Sequence, residues 1–182
     1  MTARSHRLPG DPPRAESVAR MIRVDQAGEY GAARIYDGQL AVLGRSPAMP
    51  VIRRMAEQEK RHLEAFDRLM VERRVRPTLL SPLWHVAGFA LGAATALLGE
   101  RAAMACTVAV EEVIDEHYAK QIETLGAEEP ELKAALAEFR GHEIEHRDTG
   151  LAHGAAEAPA YALLSAAIKT GSRLAIWLST RI

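Results

Sequence analysis

Residues 142–151 read HEIEHRDTGL, and within them stands Glu143-Ile-Glu-His146. Glu111 lies 32 residues before Glu143. The same order occurs earlier in the chain: Glu29, and 30 residues later Glu59-Lys-Arg-His62. Corresponding positions are offset by 82 residues for the lone glutamates and 84 for the Glu-x-x-His pairs. On a helix, positions i and i+3 lie about 60° apart around the axis, so each Glu-x-x-His projects its two side chains to one side. One such pair is weak evidence, because glutamate is common on solvated helix faces. Two pairs with matched upstream glutamates are hard to obtain by chance. Four carboxylates and two imidazoles from four helices can enclose two divalent ions and cancel their charge. Carboxylate and imidazole donors suit non-haem iron or manganese.

The sequence around these motifs is helical. Aromatic residues make up 5% of the chain, and no alternating β-branched run occurs. Val18, Ile22, Ala33, Tyr36, Leu40 and Leu43 recur at helical spacing, which predicts a helix over Glu16–Leu43 that Gly44, Pro47 and Pro50 stop. Ile52, Met55, Leu63, Phe66, Leu69 and Met70 predict a second helix over Val51–Arg74. A third runs through Met104 to Leu125 and ends at Gly126. Pro130 opens a fourth that reaches about His153, and Pro159 introduces a last amphipathic helix over Tyr161–Ser179. The expected division is a mobile tail over 1–15 and one helical domain over 16–182. The tail is proline-rich and has no apolar run of the kind a signal peptide needs.

The stretch from Pro77 to Gly99 contains no Asp, Glu, Lys or Arg over 23 residues. That length can span a bilayer. One span here would place the two ligand halves on opposite sides of a membrane, and the site would not assemble. The preferred reading is a long crossover between the second and third helices, with one apolar face left for a membrane surface or a lipid-like substrate. A fully buried core helix is the other soluble reading. The net charge of -1 argues against nucleic acid as a partner. The single Cys106 excludes a disulfide framework within one chain and fits a reducing compartment.

Neighbouring residues leave alternatives open. Only one of Glu111 and Glu112 can face inward. Glu57, Glu64 and Glu145 read as solvated. Asp25 and Asp115 share faces with Glu29 and Glu111; each can orient a ligating histidine through its second ring nitrogen or stand as a surface acid. Tyr118, seven residues after Glu111, returns to the ligand face or is a core tyrosine. His142 is expected to point away from the site, and His85 to be a satisfied buried group. His6 and His153 read as surface residues. The helix glycines allow close approach of elements, or room for a flat ligand.

The phrases RVDQAGEYGA (23–32), EQEKRHL (57–63), RVRPTLLSPLWHVAGFALGAATALLG (74–99), AMACTVAVEEVIDEHY (103–118) and HEIEHRDTGL (142–151) resemble the demethoxyubiquinone hydroxylase family of ubiquinone biosynthesis. The resemblance covers roughly residues 18 to 182, with no departure at a ligand position. It implies an all-α, ferritin-like four-helix bundle with a long apolar crossover and an additional C-terminal amphipathic helix. It implies a carboxylate-bridged pair of iron ions held by Glu29, Glu59, His62, Glu111, Glu143 and His146, with Glu59 and Glu143 bridging. The same six residues are then the catalytic set. The choice of Glu111 over Glu112 comes from the family's Val-Glu-Glu motif. The implied reaction uses O₂ and an external reductant to hydroxylate the ring of a demethoxyubiquinol, with NADH as the suggested donor. The implied location is peripheral, on the cytoplasmic face of the cell membrane. A homo-oligomer, or contact with other ubiquinone-biosynthesis proteins, stays open. Two other readings use the same residues: an iron store or peroxide-removing protein of ferritin or rubrerythrin type, and a lipid-binding bundle whose acids merely pair with Arg and Lys.

Overall fold

The protein is described here by a computed structural model covering residues 13–182. The described residues form six α-helices and one short 3-10 turn, with no strand. The helices are α1 (Arg14–Leu43), α2 (Met49–Arg73), α3 (Ser81–Leu97), α4 (Glu100–Leu125), α5 (Pro130–Ala152) and α6 (Tyr161–Ser179). This is the all-α bundle expected. Most of the expected 1–15 tail lies outside the described residues, and α1 already begins at Arg14.

Helix starts depart from the sequence reading in one informative place. Pro50 lies in the first turn of α2, which starts at Met49. Proline lacks an N–H, but the first turn has no use for one, so Pro50 opens the second helix and does not merely close the first. Pro82 and Pro130 sit the same way in α3 and α5.

Helices α1 and α2 pack as one pair and α4 and α5 as another, and α3 crosses between them. The charge-free stretch is therefore a crossover, and it lies closely on α1. Glycine makes the close approach possible. A Cβ on Gly92 would collide with the carbonyl of Ile35, one on Gly38 with the carbonyl of Phe89, and one on Gly88 would lie 2.8 Å from the carbonyl oxygen of Gly31. Helix α6 packs on α4 as α3 packs on α1. The chain is thus two three-helix units, α1–α2–α3 and α4–α5–α6, and the offsets of 82 and 84 carry one into the other.

Two apolar clusters flank the acids. One holds Ile22, Phe66, Tyr118, Leu125, Leu132, Leu136 and Phe139. The other holds Tyr36, Ile52, Met55, Met104 and Val108. Burying each large side chain stabilises the fold by about 1.5–3 kcal/mol, which offsets the burial of charge between the clusters. The outer side is different. Leu79 is 81% exposed, Val86 64%, Leu97 75%, Leu163 73% and Trp177 52%. These residues belong to α3, its flanks and α6. No helix among the described residues is long and apolar enough to cross a membrane.

Candidate metal centre and its cavity

Each of the six sequence-predicted ligands comes from the middle of a long helix, and all six are buried at 2% exposure or less. They form two overlapping groups: Glu29, Glu59, His62 and Glu143, and Glu59, Glu111, Glu143 and His146. Within each group the donor atoms lie within 4.8 Å of one another. Glu59 and Glu143 belong to both groups, the position a bridging carboxylate occupies. Glu111 faces inward while Glu112 turns out to pair with Lys169. Glu57, Glu64 and Glu145 are exposed.

The imidazoles point the same way. His62 Nδ1 lies 3.3 Å from Glu29 and 3.2 Å from Glu143. His146 Nδ1 lies 3.0 Å from Glu59 and 3.5 Å from Glu143. Their outer nitrogens are held from the opposite helix: His62 Nε2 lies 3.0 Å from His142 Nδ1, and His146 Nε2 lies 3.2 Å from Gln58 Oε1. Gln58 and His142 stand one residue before Glu59 and Glu143, so they are equivalent positions of the two units. One expectation is corrected here, and one open choice is narrowed. His142 does not point away; it stacks on His62 at 5.2 Å with the rings 3° from parallel. Asp25 and Asp115 do not orient the ligand histidines: Asp25 meets His117 and Gln121, and Asp115 accepts from Arg140 at 2.5 Å. Spacing along one helix does not report what the facing helix supplies.

Two tyrosines complete the centre, and sequence reasoning saw only one. Tyr118 donates to Glu29 Oε1, and Tyr36 donates to Glu111 Oε1 at 2.8 Å. Each stands seven residues after the glutamate of its own helix and bonds the glutamate of the other. Burial, and then the neighbouring carboxylates, raise both phenols well above their usual range, so both remain donors. His85, expected to be buried, is exposed and pairs with Tyr30 at 2.6 Å.

The donor set fits two divalent cations. Glu29 Oε2, Glu111 Oε2, both oxygens of Glu59 and Glu143, and Nδ1 of His62 and His146 are buried without a hydrogen-bond partner. Buried polar atoms left unmatched are costly and rare, and this many in one place is a set that bound cations would satisfy. In the chain alone, protons must balance the charge. Burial and then Glu143 push Glu59 well above the usual carboxylate range. Burial and then Glu111 do the same to Glu143. Burial opposes a charge on His146, but Glu111, Glu143 and Glu59 push it up to about 12. His62 is raised as well, Glu29 and Glu59 outweighing its burial. Two metal ions would replace these protons.

A cavity of about 450 Å³ reaches the centre from one side. It is enclosed by α1, α3, α4 and α6 and ends at Glu29 and Tyr118. Its walls are mostly small or aliphatic: Gly28, Gly31, Ala32, Ile35, Leu91, Val110 and Ile114 among them. A hydrogen bond of 2.9 Å from Trp84 Nε1 to Ser179 Oγ ties α3 to α6 beside it.

Comparison with known proteins agrees with this architecture. The family model described as "Ubiquinone biosynthesis protein COQ7" matches residues 16–179. A 3-demethoxyubiquinol 3-hydroxylase of Rhodospirillum rubrum is 62% identical over 177 residues, 97% of this chain and 84% of the relative. The NADPH-dependent 3-demethoxyubiquinone 3-hydroxylase, mitochondrial, of Homo sapiens is 59% identical over 170 residues, covering 91% and 78%. The 5-demethoxyubiquinone hydroxylase, mitochondrial, of Saccharomyces cerevisiae is 44% identical over 185 residues, covering 92% and 79%.

Proposed function

This chain belongs to the COQ7 family of ubiquinone biosynthesis proteins, and we propose that it hydroxylates the ring of a demethoxyubiquinol at a di-iron centre held by Glu29, Glu59, His62, Glu111, Glu143 and His146. The observation that carries this reading is the junction of cavity and cluster. Glu29 belongs to both, so a ring lodged in the apolar cavity meets the centre directly.

Two bound iron ions would supply the activation of O₂. The protein's own part is positional. Glu59 and Glu143 are shared between the two donor groups and fix their separation. Tyr118 and Tyr36 hold Glu29 and Glu111 each by one oxygen and leave the other free. Gln58 and His142 fix the ring orientation of His146 and His62, so that Nδ1 faces inward. The cavity wall excludes water from the reacting ring, which suppresses side reactions.

Exposed apolar side chains belong to α3 and α6, helices that also wall the cavity. We read them as the surface by which the protein rests on a membrane and admits a ring that carries an isoprenoid tail. The reading puts the protein peripherally on the cytoplasmic face of the cell membrane. The reductant is external, and a nicotinamide nucleotide is the proposed source. The human relative is named for NADPH, so NADH and NADPH belong side by side in the assay.

The test reconstitutes the protein anaerobically with Fe(II), then supplies a short-chain demethoxyquinol, reductant and O₂. The expected product gains one oxygen on the ring, and alanine at any of the six ligands abolishes that gain. Peroxide consumption with unchanged quinol would instead favour the rubrerythrin-type reading.

A further inference from the structure

The two three-helix units act as internal controls for one another. Tyr36 and Tyr118, and Gln39 and Gln121, are equivalent pairs at the offset of 82. Glutamate, tyrosine and glutamine recur in both, and the residues that meet the glutamine differ. Asp25 corresponds to Thr107, and His117 corresponds to Ile35. On the side away from the cavity, Gln39 Nε2 donates to Ala103 O at 3.0 Å and reaches Thr107 Oγ1 at 3.4 Å. On the cavity side, Gln121 Nε2 donates to Asp25 Oδ1 at 2.8 Å, and His117 Nε2 lies 3.1 Å from the same oxygen. A buried threonine therefore satisfies this seam, and packing does not require a carboxylate at 25.

Asp25 is 2% exposed, and its Oδ2 is buried without a hydrogen-bond partner. Both Asp25 and His117 line the cavity, one helical turn from Glu29 and beside Tyr118. An unmatched carboxylate oxygen buried beside an apolar chamber costs free energy until something donates to it. Beside it the cavity floor is bare: a Cβ added at Gly28 or Gly31 would meet nothing within 4 Å. A flat ring has room there, with its edge toward Asp25.

We propose that Asp25, held by Gln121 and His117, is the recognition residue that accepts a hydrogen bond from a ring hydroxyl of the ligand, so that the cavity selects hydroxylated rings over rings lacking an O–H donor. This rests on the quinol reading above and adds to it a residue that senses the hydroxyl-bearing, reduced form. Tyr118 and Glu29 meet the reacting side of the ring, and Asp25 meets a hydroxyl.

The test is a cycle between ligand and protein. A short-chain alkylphenol and the matching alkylbenzene are titrated into the Fe(II)-loaded protein without oxygen, and tryptophan fluorescence is followed, since Trp84 lines the cavity. The same titrations are run on Asp25→Thr, which installs the residue the other unit carries. The expected result is that the wild type prefers the phenol and that Asp25→Thr lowers this preference by about tenfold or more, the scale of a hydrogen bond to a charged group. Alkylbenzene affinity stays as in the wild type and the melting temperature does not fall, which shows the variant is folded. An unchanged preference overturns the role of Asp25 and leaves the quinol site standing. Failure of both ligands to bind the wild type overturns the cavity reading itself, and the role of Asp25 with it.

Discussion

At the scale of the residue, the centre is a balance of charge that protons or metal ions can strike. Glu59, Glu143, His62 and His146 all have folded pKa values raised above their ordinary ones. A group raised on folding stabilises below its unfolded pKa and loses that contribution as pH climbs through its folded pKa. The metal-free chain should therefore melt at falling temperature as pH is raised from about 5 to about 9. With Fe(II) bound the trend reverses, because the ligands must shed their protons to bind metal. Circular-dichroism melts with and without chelator check this; a flat profile for the metal-free chain would contradict it. Tyr36→Phe removes the donor to Glu111 and should weaken metal binding by roughly 10–100-fold, seen in anaerobic Fe(II) titration. The convergence of these carboxylates and imidazoles was legible in the sequence, because i,i+3 spacing fixes a common face. Their orienting partners were not read, since Gln58 and His142 act across the bundle. Yet the signal was present. Tyrosine at seven and glutamine at ten residues past the first glutamate recur in both units, and aligning the whole units, not the ligands alone, exposes them.

At the scale of the element, glycine placement separates two jobs. Gly92 and Gly38 let α3 lie on α1, whereas Gly28 and Gly31 empty the cavity. Gly92→Leu should destabilise the fold by about 1–3 kcal/mol or more, because backbone must move to admit the side chain. Gly28→Ala should stabilise it by up to about 1 kcal/mol through helix propensity, while shrinking the cavity and weakening ligand binding. Urea denaturation of both variants, with alkylphenol titration of the second, separates the outcomes. Helix number and order were readable from periodicity and from proline and glycine punctuation. Pro50 was ambiguous because the same residue ends one helix and suits the first turn of the next. The path of α3 was inferred only from the need to bring four ligand helices together. Its close seat on α1 depends on which glycines face which backbone, and composition does not encode that.

At the scale of the whole molecule, the cavity joins the centre at Glu29, and two of the helices that wall it, α3 and α6, carry exposed apolar side chains. Leu83 is 53% exposed and Val86 64%, so replacing both by glutamate leaves the core intact. The double variant should keep its melting temperature and its bound iron, yet lose most of its co-sedimentation with anionic phospholipid vesicles. Equal sedimentation of the two proteins would remove the membrane from this account. The equivalence of α1–α2–α3 and α4–α5–α6 has a last consequence. A scaffold whose halves supply matching ligands across an axis can be assembled from one half-length polypeptide used twice, as a homodimer. In one continuous chain each half can carry its own residues: threonine and isoleucine at 107 and 35, aspartate and histidine at 25 and 117. Asymmetry at the cavity is then something only a fused chain can encode.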